Sequence, residues 1–520
     1  MSCAEAGRIH TGDEVAQDLE RTCDVCVVGS GAGGAVLAHA LVERGLCVVM
    51  LEEGGYHTRR EFDMREDHAF PRLYQDLGNR ATDDLSLTML QGRSVGGGTT
   101  VNWCVCYRTP PKVLALWRDV HGAEGLSEEA LAPHWDWLEQ RLHIAEWPIA
   151  AANRNNRLLW DGLGALGYER HSLKRNVQRC VNSGYCGMGC PVDAKQGMLV
   201  TLIPEAVERG LTVFANARVL RLETRGRRVE AVHAQLLDPE TDRPTGRRLT
   251  VRARVTALCA GAINSPALLL RSGLDGGGRV GRRTFLHPGI VSAALFEEPV
   301  NAWYGAPMSV GSRQFAERGD DRLGYLMETP PVHPMLGAIA LGGFGLAHQE
   351  AMEQLAHVQA ALVITRDGVV EGDEGGTVAL REGGRRLSIQ YPLRAHHWEA
   401  LRHAQVELAR VQLAAGAREV RSLHARPVVV RRAEDLPLLE RAPWEALRVK
   451  VFSAHQMGGC AMGGDPARSV VDSRLRYHGL DNLFVADGSV FPTSVGVNPQ
   501  QSIFGLARWG AQHVAAAVGA

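Results

Sequence analysis

Three groups of residues in this 520-residue chain have types and spacings that could do chemistry. The first is Gly29-x-Gly31-x-x-Gly34, set between the apolar run Val25 to Val28 and a stretch of helix-forming residues from Ala35 to Arg44. At a strand-to-helix turn, the first glycine permits the tight bend and the second admits a pyrophosphate against the backbone. The third lets helix and strand pack closely. The free N–H groups and positive dipole of the helix start then hold the phosphates. Glu52, eighteen residues after Gly34, sits where a carboxylate accepts from a ribose hydroxyl. A GxGxxG by itself also describes a glycine-rich turn. With the acid in its place the reading is dinucleotide binding, and NAD and FAD both remain open. The second group is Cys180-x5-Cys186-x3-Cys190-Pro191. Three thiolates converging in a loop could hold an iron–sulfur cluster. The competing reading, a buried structural loop, is preferred, so no metal is assigned. The third group is Asn498-Pro499, a good helix cap followed by a good first helical residue. A helix starting there turns its positive end toward any negative charge beyond it.

These groups need a frame. Val25 to Val28, Gly29 to Gly34, the helix stopped by Gly45, and the strand Leu46 to Leu51 form a complete strand–helix–strand unit. Further on, Val219 to Leu222, Val229 to Leu237 and Leu249 to Val255 read as a meander, and Thr256 to Ala260 as a separate buried strand. Ser265-Pro266 reads as the cap of a helix running to Arg271. Helical patterns recur at Leu126 to Leu142 and His396 to Ala414, while Arg65 to Leu90 reads as irregular. From Gly276 to Trp444 no clear pattern emerges; a short strand, Asn482 to Ala486, and a last helix from Pro499 close the chain. Nucleotide-type strands thus occur at both ends and in the middle. The fold class expected is α/β: a Rossmann-type domain assembled from discontinuous segments, with an inserted α+β substrate domain of antiparallel sheet and helices. The segments expected are 20–112, 195–290 and 450–520 for the nucleotide domain. The substrate domain and the cysteine loop take 113–194 and 291–449.

Composition narrows the function classes. With 57 basic against 58 acidic residues the formal charge is −1, which gives no electrostatic case for nucleic acid. No apolar run approaches the roughly 18 residues of a membrane-spanning helix. The segment Met1 to Glu20 lacks the apolar core of a secretory signal. Eleven cysteines are too few for a disulfide scaffold, so reduced thiols and a cytoplasmic setting are expected. Cys23 and Cys26 form a CxxC, but on a strand their side chains face opposite ways.

Other segments carry a resemblance. Gly92-Arg93-Ser94-Val95-Gly96-Gly97-Gly98-Thr99-Thr100-Val101-Asn102 resembles the first signature of the glucose–methanol–choline (GMC) flavoprotein oxidoreductases. Gly261-Ala262-Ile263-Asn264-Ser265-Pro266 resembles their second. Val280-Gly281-Arg282, leading to Leu286-His287-Pro288, is similar to the stretch next to that second signature. His455-Gln456-Met457-Gly458-Gly459-Cys460 resembles the active-site histidine motif, in wording similar to long-chain alcohol oxidases. Asp487-Gly488-Ser489 and Asn498-Pro499 resemble the closing segments. The five lie in family order.

The resemblance implies FAD as cofactor and oxidation of the CH–OH group of an apolar or bulky small-molecule alcohol, with hydride passing to flavin N5. It implies His455 as the base, singled out among twenty histidines only by its motif, and Asn498 as donor to the forming alkoxide. It adds Gly97, Asn102, Val219, Asp487 and Gly488 to Gly29, Gly31, Gly34 and Glu52 as FAD contacts. Dioxygen or an electron carrier would reoxidise the flavin. Three rivals stand beside this reading: an iron–sulfur GMC dehydrogenase using Cys180, Cys186 and Cys190, a GMC-fold lyase or decarboxylase, and a NAD-binding or non-catalytic nucleotide-binding protein.

Overall fold

The computed structural model describes residues 7–384 and 386–519. Its first sheet has eight strands, ordered Arg8–His10, Thr212–Phe214, Val48–Leu51, Leu19–Val28, Pro244–Leu258, Arg228–Leu237 and Ala217–Arg225, with Leu483–Val485 beside Pro244–Leu258. The parallel strands around Leu19–Val28 are the apolar runs of the sequence. Val25 to Val28 and Val48 to Leu51 are buried throughout, as expected of strands covered on both faces. The helix Ala32–Val42 packs against the last helix, Gln500–Val518, so an early and a late segment of the chain meet here.

Pro244–Leu258 departs from the sequence reading, which divides it into a meander strand and a separate buried strand. It is one 15-residue strand. Along one edge it runs parallel to Leu19–Val28, from Leu249 opposite Leu19 to Leu258 opposite Val28. On its other edge it changes partner, first antiparallel to Arg228–Leu237 and then parallel to Leu483–Val485. Its alternating first half and its apolar second half reflect that change of neighbours, not a break in the chain.

The unparsed middle builds most of a second, ten-stranded sheet on the path Arg80–Ala81, Leu87–Met89, Val451–Ser453, Gly289–Leu295, Val358–Thr365, Tyr325–Glu328, Val310–Ser312 and His171–Ser172, with Glu419–Ser422 beside Gly289–Leu295 and Val429–Val430 beyond it. Its pairs are antiparallel except Val451–Ser453 with Leu87–Met89. Arg80–Ala81, Leu87–Met89 and Val451–Ser453 come from segments expected in the nucleotide domain, so the chain crosses between the sheets more often than the segment boundaries suggest. The helices Arg154–Ala165 and Ala395–Ala414 pack together against this sheet. Arg65 to Leu90, expected to be irregular, contains the helix Glu66–Leu73 and two of these short strands.

Two helix starts also differ. The helix at Ser265-Pro266 begins at Gly261, because Asp487 Oδ2 accepts from Gly261 N–H at 2.8 Å and so caps it from a distant segment. Ser265 Oγ donates to the same carboxylate at 2.6 Å. The last helix begins at Gln500 with Pro499 at its cap, and Asn498 does not cap it. Among the described residues nine cysteines are free thiols; Cys47 is disulfide-bonded, so the reduced-thiol expectation does not extend to it. Among the described residues no helix is long and apolar enough to cross a membrane.

Candidate active site

A cavity of about 710 Å³ opens between the two sheets, within the range of small-molecule and cofactor sites. Every nucleotide and catalytic residue expected from the sequence lines it except Gly34. These are Gly29, Gly31, Glu52, Gly97, Asn102, Val219, Asp487 and Gly488 of the expected cofactor set, and His455 with Asn498 of the expected catalytic pair. Gly34 lies behind, where a Cβ would stand 1.9 Å from Gly29 O, and this is the close packing expected of the third glycine. Gly29 adopts φ 101°, and a Cβ there would lie 2.3 Å from Cys259 O. Gly31 meets nothing closer than Gly97 Cα at 3.8 Å, so the backbone is bare toward the cavity where a pyrophosphate must approach. Gly97 in turn has no room for a side chain, with Gly31 Cα 2.7 Å from its ideal Cβ.

Glu52, expected to face a ribose, is also tied into the turn. Ser30 N–H and Ser30 Oγ donate to its Oε2 at 2.9 and 2.6 Å, and Gly54 N–H donates to Oε1 at 2.8 Å. A carboxylate offers about four acceptor sites, so one remains for a ribose hydroxyl. The side chain thus closes the glycine turn and keeps an acceptor site for a ligand. Burial raises its carboxyl, opposed by these three donors. Asp487 has a comparable double role, fixing Gly261 and Ser265 on one side while its Oδ1 accepts from Ser489 N–H at 2.8 Å. Asn102 is held by Gln500, whose Oε1 accepts from Asn102 Nδ2 at 2.7 Å and whose own Nε2 donates to Val105 O. These cradles suit FAD.

On the catalytic side His455 Nδ1 lies 3.1 Å from His287 Nδ1. His287 Nε2 accepts from Gly496 N–H at 3.1 Å. That places the His287 proton on Nδ1, from which it donates to His455 Nδ1. Asp367 holds the turn beneath, its two oxygens accepting from Leu286 N–H and His287 N–H at 2.8 and 3.1 Å. Burial pushes His455 down to about 4 and His287 well below the ordinary histidine value, so both rings are neutral near pH 7. Asn498 Nδ2 donates to Glu328 Oε2 at 3.3 Å. His287 occurs in the quoted motifs without an assigned role. Asp367 and Glu328 come from the unpatterned middle, where no local spacing marks them.

The cysteine loop approaches the cavity through Cys104, which lines it. Arg175 and Lys195 are both fully or nearly buried, at 0% and 4% exposure. Arg175 Nη2 lies 3.8 Å from Cys186 Sγ, and Lys195 Nζ donates to Cys186 O. The Cys104 thiol donates to Cys186, and with the nearby cations it holds that thiol down at about 5 against the effect of burial. Burial raises Cys180. Among the described residues the metal-type ligands gathered within 4.8 Å of one another are Asp373, His396 and His397, not the three cysteines.

A mixed sheet whose parallel strands carry a glycine cradle, with a second sheet facing it across a cavity lined by a histidine and a buried amide, is the arrangement of a dinucleotide-binding fold. The GMC oxidoreductase family matches the chain over residues 40–289 and 373–507. A GMC-type oxidoreductase of Mycobacterium tuberculosis is 35% identical over 490 residues, covering 93% of this chain and 74% of that one. The long-chain-alcohol oxidase FAO4A of Arabidopsis thaliana is 29% identical over 510 residues, covering 93% of this chain and 67% of that one. Pyridoxine 4-oxidase from Mesorbium loti shares the fold, with a TM-score of 0.70 at 21% identity over 95% of this chain and 99% of that one. The chain belongs to the GMC oxidoreductase family and is an FAD-dependent enzyme.

Proposed function

We propose that the enzyme oxidises the CH–OH group of an apolar or bulky alcohol to the carbonyl. The observation that carries this is that His455 and Asn498 line the same cavity as the nucleotide cradle, with His287 bonded both to His455 and to Gly496 N–H, two residues before Asn498. Around them the wall is apolar, including Met308, Leu362, Ile364 and Phe452, all from or beside the second sheet. The relationship to a long-chain-alcohol oxidase supports the same substrate class. FAD, when bound, supplies the hydride acceptor.

The chain's own residues handle the hydroxyl. The Asn498 amide stabilises negative charge growing on the substrate oxygen. His455 is the proton acceptor in this reading, neutral above about pH 4 and therefore competent at ordinary pH. The bond from His287 favours a second role. With Nδ1 receiving from His287, the neutral ring carries its proton on Nε2 and meets the substrate oxygen as a donor. Acceptance of the hydroxyl proton then requires the ring to leave His287.

A panel of alcohols, read by anaerobic bleaching of the flavin, tests the function; a flavin that no alcohol bleaches excludes it and favours the lyase. Two variants divide the roles of His455. His455→Ala is expected to slow reduction by about 10²–10⁴ in either role. His455→Gln keeps a donor but no basic nitrogen, so an equal loss supports the base and a largely retained rate supports the donor. Whether dioxygen or a carrier reoxidises the enzyme is read with an oxygen electrode against dye acceptors.

A further inference from the structure

Between the cysteine loop and the cavity lies a pair of thiols that the alcohol chemistry does not use. The Cys104 thiol donates to Cys186. Two buried cations span the same gap. Lys195 Nζ donates to Asn102 O at 3.1 Å and to Cys186 O at 2.6 Å. Arg175 Nη2 reaches Trp103 O at 3.4 Å and Cys186 Sγ at 3.8 Å. Cys104 is fully buried and holds a left-handed backbone, φ 70°, which is uncommon for a residue with a side chain. It also lines the cavity that contains the glycine cradle.

No carboxylate pairs with Arg175 or Lys195 among the described residues. The groups that oppose their charge are thiols: Cys104 and Cys186 on both, with Cys180 on Arg175 and Cys190 on Lys195. Arg175 Nε and Nη1 have no hydrogen-bond partner among the described residues. Buried cations need a matching anion, and here it is one thiolate shared between two sulfurs. That charge exists only while the pair is reduced. Joining the sulfurs would discharge it and leave both cations unmatched. The reduced pair is therefore favoured, and the disulfide is the oxidising form.

We propose that Cys104 and Cys186 form a dithiol–disulfide couple that exchanges two electrons with the flavin held in the same cavity. In one direction the reduced flavin anion gives up two electrons and one proton. The S–S bond breaks, leaving a thiolate on Cys186 and a thiol on Cys104, and the flavin returns to its oxidised form. In the other direction the S–S bond forms, and both electrons and the Cys104 proton pass to oxidised flavin. No further oxidant enters the step. The couple stores a second pair of electrons beside the cofactor, and it leaves Cys180 and Cys190 outside.

The test uses holoenzyme oxidised with diamide, freed of the reagent, and titrated anaerobically with dithionite. Wild type is expected to take about two more electrons per flavin than Cys104→Ser or Cys186→Ser, the capacity of one disulfide. Cys190→Ser, which loses a thiol of the same loop, should match wild type. A second readout needs no flavin. Peptide mapping of the oxidised, unreduced protein should recover Cys104 joined to Cys186, and the link should be gone after dithionite. Equal electron uptake by wild type and the two serine variants overturns the proposal. So does a map that leaves Cys104 and Cys186 unjoined, a result that holds even if the variants fail to fold. Stoichiometric iron in the purified enzyme overturns it as well, because Cys186 would then be a cluster ligand. Neither measurement uses an alcohol, so a failure of the alcohol-oxidation reading is seen separately.

Discussion

The two walls of the cavity are built by different rules. The nucleotide wall is made of turns in which atoms nearly touch: Gly97 on Gly31, Gly34 on the Gly29 carbonyl, Asp487 on Gly261. Each contact demands one residue type. The opposite wall is a sheet, and Leu362 and Ile364 need only be apolar and about the right size. The first wall is rigid in sequence, and on the proposed reading it holds the cofactor. The second is permissive in sequence, and on the same reading it faces the substrate.

The sharpest way to break this contrast is on the first wall. Gly34→Val forces a side chain to within 1.9 Å of the Gly29 carbonyl, and no rotamer relieves a clash made by Cβ itself. The expected outcome is a protein with no bound flavin, or no soluble protein at all, judged by the flavin-to-protein absorbance ratio after gentle purification. Normal flavin occupancy would show that the turn is looser than the glycine contacts imply.

On the second wall the same kind of change should act quite differently. Ile364→Val removes one methylene from a side chain that lines the cavity. One methylene in an apolar pocket is worth about 10–200-fold in discrimination at most. We expect the ratio of kcat/KM between alcohols differing by one methylene to shift on the order of tenfold, with flavin occupancy unchanged. A loss of flavin instead would mean that the sheet wall also serves the cofactor, and the division between walls would collapse.

The same division explains what is legible in the sequence. The glycine turn, Glu52 and the helix Ala395–Ala414 are local, so their residue types report their structure directly. The histidine and closing motifs are legible only through their resemblance to a family, because nothing in the spacing of His455 distinguishes it from nineteen other histidines. Val358–Thr365 is not legible, since all eight of its residues are buried and it shows no alternation. Asp367 and Glu328 escape for a related reason: each acquires its role from a partner far away in sequence, His287 or Asn498. The start of the helix at Gly261 is hidden from local reading because its cap is Asp487, 226 residues downstream.

The smallest expected effect lies in the cysteine loop, which itself lines no part of the cavity. Its thiolate at Cys186 already has counter-charges, Arg175 and Lys195, and a hydrogen-bond donor in Cys104. A buried anion matched in this way needs no metal to account for it. Lys195 also ties Thr100 O and Asn102 O to Cys186 O, so the loop braces the segment that carries Asn102. On this structural reading Cys180, half-buried and outside those bonds, should tolerate serine at a cost of roughly 1–3 kcal/mol in unfolding free energy at most. Flavin reduction by alcohol should be unaffected, and the purified enzyme should hold no iron or acid-labile sulfide. The cluster reading makes the opposite forecast for one half of the cycle. Cys180→Ser would strip iron and block transfer to an external acceptor while leaving flavin reduction intact, because a cluster would accept electrons only after the flavin. About three iron atoms per chain after anaerobic purification would establish that reading and make the loop a redox relay rather than a brace.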